Sequence, residues 1–243
     1  MTLHPGIRHL AVLLFVTTAY GRLIAPVAAT AGSEAGAYLL TKGVLAALLL
    51  GYVLTTGQAR SAGLVGRSNL RTLPLYWPLF LLMLLILLGP SAPPDPGTLL
   101  TLAGVALCVG FAEELMFRGL VFHWFRDLTA RARILVSAFA FGLAHLGGLL
   151  ATDAVAVVLA QCVFASAVGA VFACARDRDD SIWLPVAVHA GFDFVAFAAA
   201  GGIGQALEDT PATVVRLLVP GLLIWAWAAW LIRRAPRAAP AAA

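Results

Sequence analysis

Charged residues are scarce in this sequence. They account for 12% of its 243 residues, whereas 61% are apolar. A typical soluble domain has about 25% charged and 45–50% apolar residues, and a soluble fold of this length leaves roughly 30% of the unfolded chain's surface in water. A chain as apolar as this one cannot keep its apolar surface away from water without a bilayer. In a bilayer, lipid-facing positions require apolar side chains. The composition therefore excludes an ordinary soluble domain and indicates a membrane protein.

Cysteine is also scarce. Cys108, Cys162 and Cys174 lie in apolar segments and show no C-x-x-C spacing, which indicates neither a disulfide framework nor a thiolate metal site. We expect them to be small buried apolar residues. The formal net charge of +4 reports orientation in a membrane protein, so no nucleic-acid partner is expected.

Apolar stretches recur at lengths near the ~20 residues that cross a bilayer. Eight of them predict an all-α, polytopic membrane helical bundle, without an internal repeat. The spans are Leu10–Ala28, Ala37–Thr56, Leu73–Gly89, Thr98–Val121, Ile134–Leu150, Ala154–Ala175, Ile182–Ala200 and Val214–Ile232. We divide the chain into residues 1–97 with three helices, a core of residues 98–200 with helices four to seven, and residues 201–243 with the last helix and a basic tail.

Arginine alternates between the segments that join these spans. One alternating set contains no Lys or Arg, and the other contains Arg8, Arg60, Arg67, Arg71, Arg126, Arg131, Arg133, Arg176, Arg178, Arg233, Arg234 and Arg237. The positive-inside rule then predicts a multi-pass protein of the cell membrane with both termini in the cytoplasm. Lys42 and Arg216, near the outer ends of their helices, are expected to reach the lipid headgroups.

The first span has a second interpretation, since Ala29, Thr30 and Ala31 loosely fit the end of a cleaved signal peptide. Arg22 lies between the apolar run and that site, however, and cleavage would spoil the alternation of charge. We therefore predict a retained helix.

Three of the apolar helices carry ionisable residues, each of which costs on the order of 2.5–3.5 kcal/mol at the bilayer centre. They are Glu113, Glu114 and Arg118 in the fourth helix, His145 in the fifth, and His189 and Asp193 in the seventh. The alternation of charge places all of them in the middle or cytoplasmic half of the bilayer. Three polar helix faces in one bundle favour a common site, although a lone histidine is more often a packing residue.

Spacing assigns the carboxylates of the fourth helix different roles. Glu114 and Arg118 are four residues apart, so they share a helix face and are expected to form an ion pair that braces the structure. Glu113 lies about 100° around the helix and has no cation within one turn. We expect an unpaired buried carboxylate that is suited to proton transfer.

His189 and Asp193 are also four residues apart. The carboxylate is expected either to orient the imidazole or to aim at the same metal or substrate group.

Taken in order, Glu-Glu-x-x-x-Arg, Phe-x-x-x-His and His-x-x-x-Asp, within roughly residues 102–197, resemble the CAAX protease and bacteriocin-processing (CPBP) family of intramembrane proteases, and in particular its type II CAAX prenyl endopeptidase group. The resemblance implies that the core is catalytic. Glu113 matches the glutamate that activates a water, His145 the histidine that holds or polarises it, and His189 the second essential histidine.

Asp193 departs from the Asn with which many members of that family are thought to stabilise an oxyanion. An ionised carboxylate would repel an oxyanion, so Asp193 must be protonated, must orient His189, or must bind a cation.

The resemblance leaves the metal open, because the family has been described both as metal-dependent and as metal-free. The H-E-x-x-H signature of soluble metalloproteases is absent, so a zinc ion would need ligands from several helices. The candidates are His145 and His189, with Glu113 or Asp193.

We therefore expect an endopeptidase in lipid surroundings that hydrolyses an extended segment of a peptide or membrane-associated protein, reached from the cytoplasmic side or the inner leaflet. One alternative is a peptide-binding bacteriocin self-immunity or scaffold protein of the same family with little proteolysis. Another is a small transporter that uses these groups as a proton relay, although no inverted repeat or broken helix pair supports it.

Overall fold

The computed structural model describes residues 4–91 and 93–235. Within these ranges the protein is helical, without strands, and contains eight helices long and apolar enough to cross a bilayer. This confirms the predicted polytopic all-α bundle. We number the helices α1 Pro5–Ala28, α2 Glu34–Thr55, α3 Trp77–Leu88, α4 Pro96–Glu114, α5 Ala130–Ala144, α6 Val155–Arg176, α7 Trp183–Ala200 and α8 Pro211–Arg233.

Capping residues set several helix starts. The side chains of Ser33, Asp95, Thr129 and Thr210 accept hydrogen bonds from backbone N–H groups in the first turns of α2, α4, α5 and α8, which would otherwise lack partners. Proline follows the cap directly in α4 and α8, where its missing N–H costs nothing. The apolar runs predicted later starts for these helices because caps lie outside the apolar pattern.

Helix α4 continues beyond Glu114 in a different geometry. Residues Leu115–Val121 form a π-helical segment, and Phe122–Trp124 add a last α-helical turn. Side chains from neighbouring helices bind carbonyl groups of this segment: Ser137 Oγ donates to Phe117 O at 3.0 Å and Arg176 Nε to Arg118 O at 3.1 Å. These bonds satisfy backbone groups where the α-helical ladder is altered, so the segment is anchored by α5 and α6.

Helix α5 is shorter than the predicted fifth span, because a 3₁₀ helix over His145–Leu150 follows Ala144. His145 therefore lies at the junction of the two helices rather than inside an α-helix. Helix α3 is likewise preceded by a 3₁₀ helix, Leu70–Tyr76.

Helix α6 is the most buried of the eight spans and packs against α5 and α8, whereas α4 packs against α2 and α7. Glycines permit the closest approaches. A Cβ atom at Gly142 would lie 2.6 Å from Ser166 Cβ, between α5 and α6. A Cβ atom at Gly110 would lie 3.0 Å from the backbone nitrogen of Ala190, between α4 and α7. This second contact brings the ionisable residues of α4 and α7 together.

The arginine-bearing segments meet at one end of the bundle. The backbone N–H of Asn69 donates to Asp179 Oδ2 at 2.8 Å, and Arg131 Nε donates to the carbonyl of Ala235 at 3.2 Å. The position of these segments at one end of the bundle agrees with an even number of bilayer crossings between them. The last eight residues, which include Arg237 and the rest of the predicted basic tail, lie outside the described residues, and the three-part division of the chain stays a prediction.

The structure also gives the environment of the three cysteines and of Arg216. All three cysteines are free; Cys174 is buried, and Cys108 and Cys162 are partly buried. Arg216 donates to the carbonyl of Ala206 at 2.8 Å.

Candidate active site

An ion pair without solvent exposure lies where α4 passes into its π-helical segment. Arg118 Nη1 donates to Glu114 Oε1 at 3.2 Å, and both side chains are 0% exposed. The guanidinium also lies 4.5 Å from the ring centre of Phe141 and 5.3 Å from that of Phe172. Its Nε and Nη2 have no acceptor among the described residues, so the two aromatic faces cover them. The ion pair expected from the four-residue spacing is present.

Glu114 has a second partner that the sequence did not reveal. Its Oε1 lies 2.8 Å from His189 Nδ1. A carboxylate beside a guanidinium is an acceptor only, so Nδ1 carries the hydrogen and donates it. Glu114 therefore fixes the ring orientation of His189. The motif spacing offered Asp193 for this role, because it considers neighbours on one helix, whereas Glu114 and His189 are 75 residues apart in the chain.

The other ring nitrogen of His189 faces two carboxylates. Nε2 lies 3.5 Å from Asp193 Oδ2 and 3.9 Å from Glu113 Oε2. Both carboxylates can only accept from Nε2–H, and because Nδ1 also carries a hydrogen, a donating Nε2 makes the ring of His189 a cationic imidazolium. The ring thus joins α4 and α7, with Glu114 at one nitrogen and Glu113 and Asp193 at the other.

Glu113 does have a cationic partner, so the expectation of an unpaired carboxylate is wrong. Lys42 Nζ, from α2, lies 3.1 Å from Glu113 Oε1. The expectation that Lys42 extends to the headgroups is wrong for the same reason: a carboxylate of opposite charge is within its reach. A search limited to one helical turn cannot find this pair, whose members are 71 residues apart in the chain.

His145 lies at the start of the 3₁₀ helix, close to the same cluster. Its Nδ1 is 2.9 Å from the carbonyl oxygen of Phe141, which can only accept, so Nδ1 carries the hydrogen. A neutral His145 then presents the lone pair of Nε2. Within the described residues His145 has no hydrogen bond to Glu113, His189 or Asp193, but its ring and that of His189 both lie edge-on to Phe141.

The cluster has a closed side and an open side. The Glu114–Arg118 pair is fully buried, whereas the side chains of Glu113 and Asp193 are 14% and 18% exposed. The edge formed by these two carboxylates and His189 Nε2 is therefore the partly exposed side of the cluster. Such an edge can take a proton from water, donate a hydrogen bond, and place both next to a bound carbonyl group.

Residues 95–195 match the sequence profile of a known protein family, described as Type II CAAX prenyl endopeptidase Rce1-like. This part of the chain is similar to the CAAX protease family, and we call it the CAAX-protease domain. The family description names a peptide-bond hydrolase. No curated protein and no solved structure matches the chain significantly.

The CAAX-protease domain contains every motif residue predicted from the sequence. It begins one residue before α4 and ends within α7, so it covers Glu113, Glu114, Arg118, His145, His189 and Asp193. Lys42 lies outside it.

The side chains of the CAAX-protease domain do not form a metal site in this arrangement. Across residues 4–91 and 93–235, no three His, Cys, Asp or Glu side chains are grouped so that they could hold a metal ion. The Lys42 ammonium lies against Glu113, and Glu114 holds Nδ1 of His189. Binding of zinc by His145, His189 and a carboxylate would require these contacts to rearrange. The expected zinc stays a prediction.

Proposed function

We propose that this protein is an intramembrane endopeptidase in which Glu113 activates a water for attack on a peptide carbonyl group. The observation that carries the proposal is the arrangement around His189, whose Nδ1 is held by Glu114 and whose Nε2 faces Glu113 and Asp193. A base and a donor therefore share one partly exposed edge within a bundle of apolar helices. The similarity of residues 95–195 to an endopeptidase family supports it.

In the proposed reaction, Glu113 Oε2 removes a proton from water while Oε1 stays bound to Lys42. The water oxygen attacks the carbonyl carbon, and the electron pair of the C=O double bond moves to the oxygen. His189 Nε2–H donates to this oxyanion, and His145 Nε2 holds the attacking water. When the C–N bond breaks, Glu113 passes its proton to the leaving amine. These are the base, the group that holds the water and the donor to the oxyanion that amide hydrolysis requires.

In this proposal Asp193 orients the donor nitrogen of His189 and does not attack the substrate. Its Oδ2 lies 3.5 Å from Nε2 of His189, a long contact that an oxyanion can replace without breaking a short hydrogen bond. We propose that Asp193 orients this nitrogen before substrate binds. Of the three roles left open by the sequence, this one agrees best with the geometry.

The substrate that we propose is an extended peptide, or an unwound segment of a membrane-associated protein, because the carbonyl groups of a helix are already hydrogen-bonded.

The positive-inside rule predicts that the arginine-rich end of the bundle lies in the cytoplasm. Single cysteines at Ser61 and Glu208, in a background without the native cysteines, test this orientation. A membrane-impermeant thiol reagent added to intact cells should label only the cysteine at 208; labelling of 61 alone would reverse the topology.

Peptide cleavage tests the function. The purified protein in detergent is incubated with a mixed peptide library, with and without a chelator, beside Glu113→Gln and the matched control Glu208→Gln in an exposed loop. We expect cleavage by the wild type and the control, and a loss of about 10²–10⁴-fold in Glu113→Gln. Chelator sensitivity would establish a metal requirement. Peptide binding without cleavage by the wild type would instead support the immunity or scaffold function.

A further inference from the structure

Lys42 is the only lysine in the sequence, and it lies on α2, outside the part of the chain that matches the family. Its side chain is 26% exposed, and its ammonium group is 3.1 Å from Glu113 Oε1. A largely buried lysine loses rotamer freedom and hydration, which a lipid-facing position near a headgroup would not require. The contact with Glu113 is therefore the feature to be explained.

Packing of α2 on α4 fixes where Lys42 can reach. Buried residues of α2, namely Leu45, Ala46, Leu49 and Val53, belong to one apolar cluster with Ala112 and Leu115, on either side of the two glutamates. One turn before Lys42, Leu39 lies where a Cβ at Gly104 would be 3.1 Å from its Cδ1. Helix α2 is thus held against α4 above and below Lys42, and its ammonium faces the end of α4.

The charge balance of the cluster depends on this lysine. Three carboxylates, Glu113, Glu114 and Asp193, lie around His189, and among the described residues Arg118 forms an ion pair with Glu114, so that the imidazolium of His189 and the ammonium of Lys42 supply the other two positive charges. Asp193 and the Glu113 carboxylate that Lys42 binds both face Nε2 of His189, at 3.5 and 3.9 Å. Without Lys42, Glu113 and Asp193 would be two neighbouring carboxylates with only histidine between them. Like charges in a poorly hydrated site disfavour each other strongly.

We propose that Lys42 is a positioning residue for this site: it fixes Oε1 of Glu113, so that Oε2 faces the substrate, and it offsets the negative charge that Asp193 adds on the other side of His189 Nε2. The proposal rests on the proposed endopeptidase function. It predicts that Lys42 and Asp193 depend on one another, because an uncharged residue at 193 removes part of the need for the cation.

The experiment measures kcat and KM separately, on a peptide cleaved by the wild type, for Lys42→Arg, Lys42→Met, Asp193→Asn and the double variant of Lys42→Met with Asp193→Asn. Lys42→Met should lower kcat about 100-fold, the loss typical of a misplaced catalytic group, with KM changed less than about threefold. Lys42→Arg should retain most of kcat. The double variant should be faster than Lys42→Met alone.

Two comparisons separate positioning from loss of fold. Arg216→Met removes a cation whose partners among the described residues are the carbonyl of Ala206, before α8, and the hydroxyl of Thr213, in the first turn of α8, and it should leave kcat and KM unchanged. In unfolding experiments, the losses of stability caused by Lys42→Met and by Glu113→Gln should not add, since either change alone already removes the ion pair between the two residues. Additive losses of stability would overturn the pair.

The outcomes distinguish this proposal from the function on which it rests. If the wild type cleaves no peptide, the endopeptidase function fails, and the catalytic role of Lys42 fails with it. If the wild type is active and Lys42→Met keeps its kcat, or raises KM alone, only the positioning role is overturned. A double variant no faster than Lys42→Met would overturn the link to Asp193.

Discussion

Removal of Arg118 should destabilise the protein far more than removal of any exposed arginine. Arg118 and Glu114 are both fully buried and their charged atoms are 3.2 Å apart. With an effective dielectric constant of about 20, this separation gives an attraction of about 5 kcal/mol. Burial of the two charges offsets much of that attraction, but a single partner left behind keeps its full burial cost. We therefore expect Arg118→Met to lower the free energy of unfolding by about 3–5 kcal/mol.

The assay is reversible unfolding in mixed detergent micelles, with Arg118→Met, Glu114→Gln and their combination compared with Arg126→Met. Arg126 is exposed, so its replacement should change stability by less than about 0.5 kcal/mol. The combined variant should recover most of the loss of Arg118→Met, because no isolated buried charge remains, and the amide oxygen of the new glutamine side chain can still accept from His189. A loss below about 1 kcal/mol in Arg118→Met, or strictly additive losses in the combination, would refute this account of the pair.

Two further predictions concern other contacts. Gly110→Leu should force α4 and α7 apart, since a Cβ atom alone would lie 3.0 Å from the Ala190 backbone; we expect a loss of about 1–3 kcal/mol together with lower kcat, whereas unchanged unfolding and kcat would contradict the close approach. A hydrogen bond from His4 lowers the pKa of Asp127. A lowered carboxyl pKa contributes stability that is fully present above the unfolded-state pKa and is lost as pH falls through the folded-state pKa. Because Asp127 is exposed, the part of the loss in His4→Ala that comes from this hydrogen bond should be less than about 1 kcal/mol near pH 7 and should vanish once the carboxyl is protonated, which leaves only the loss of the cap on Gly6 and of the stacking on Phe125; equal losses at both pH values would contradict it.

The spans and the ion pair within α4 could be predicted because both follow from local rules. A bilayer requires about 20 apolar residues per helix, and residues four apart on a helix are neighbours. The predicted set of motif residues likewise lies within the family-matched region, and five of its six members join one cluster through Glu114 and His189.

The contacts that give those residues their environment could not be predicted in this way. The partners of Glu113 and His189 are 71 and 75 residues away, and their meeting depends on how α2, α4 and α7 pack. The sequence showed that Lys42 lies near the end of an apolar helix, a position equally compatible with the headgroups. The π-helical segment was also missed, because it depends on donors from Ser137 and Arg176 that only the packed bundle supplies.

The position of Lys42 on α2 has a consequence for modularity. A fragment cut to the family-matched region would keep every motif residue and lose the cation that binds Glu113. The same holds for a chimaera in which the first three helices come from a relative, unless that relative supplies a cation at the same depth. The N-terminal helices are therefore not an interchangeable anchor: one of them completes the electrostatic environment of a site whose signature lies elsewhere in the chain.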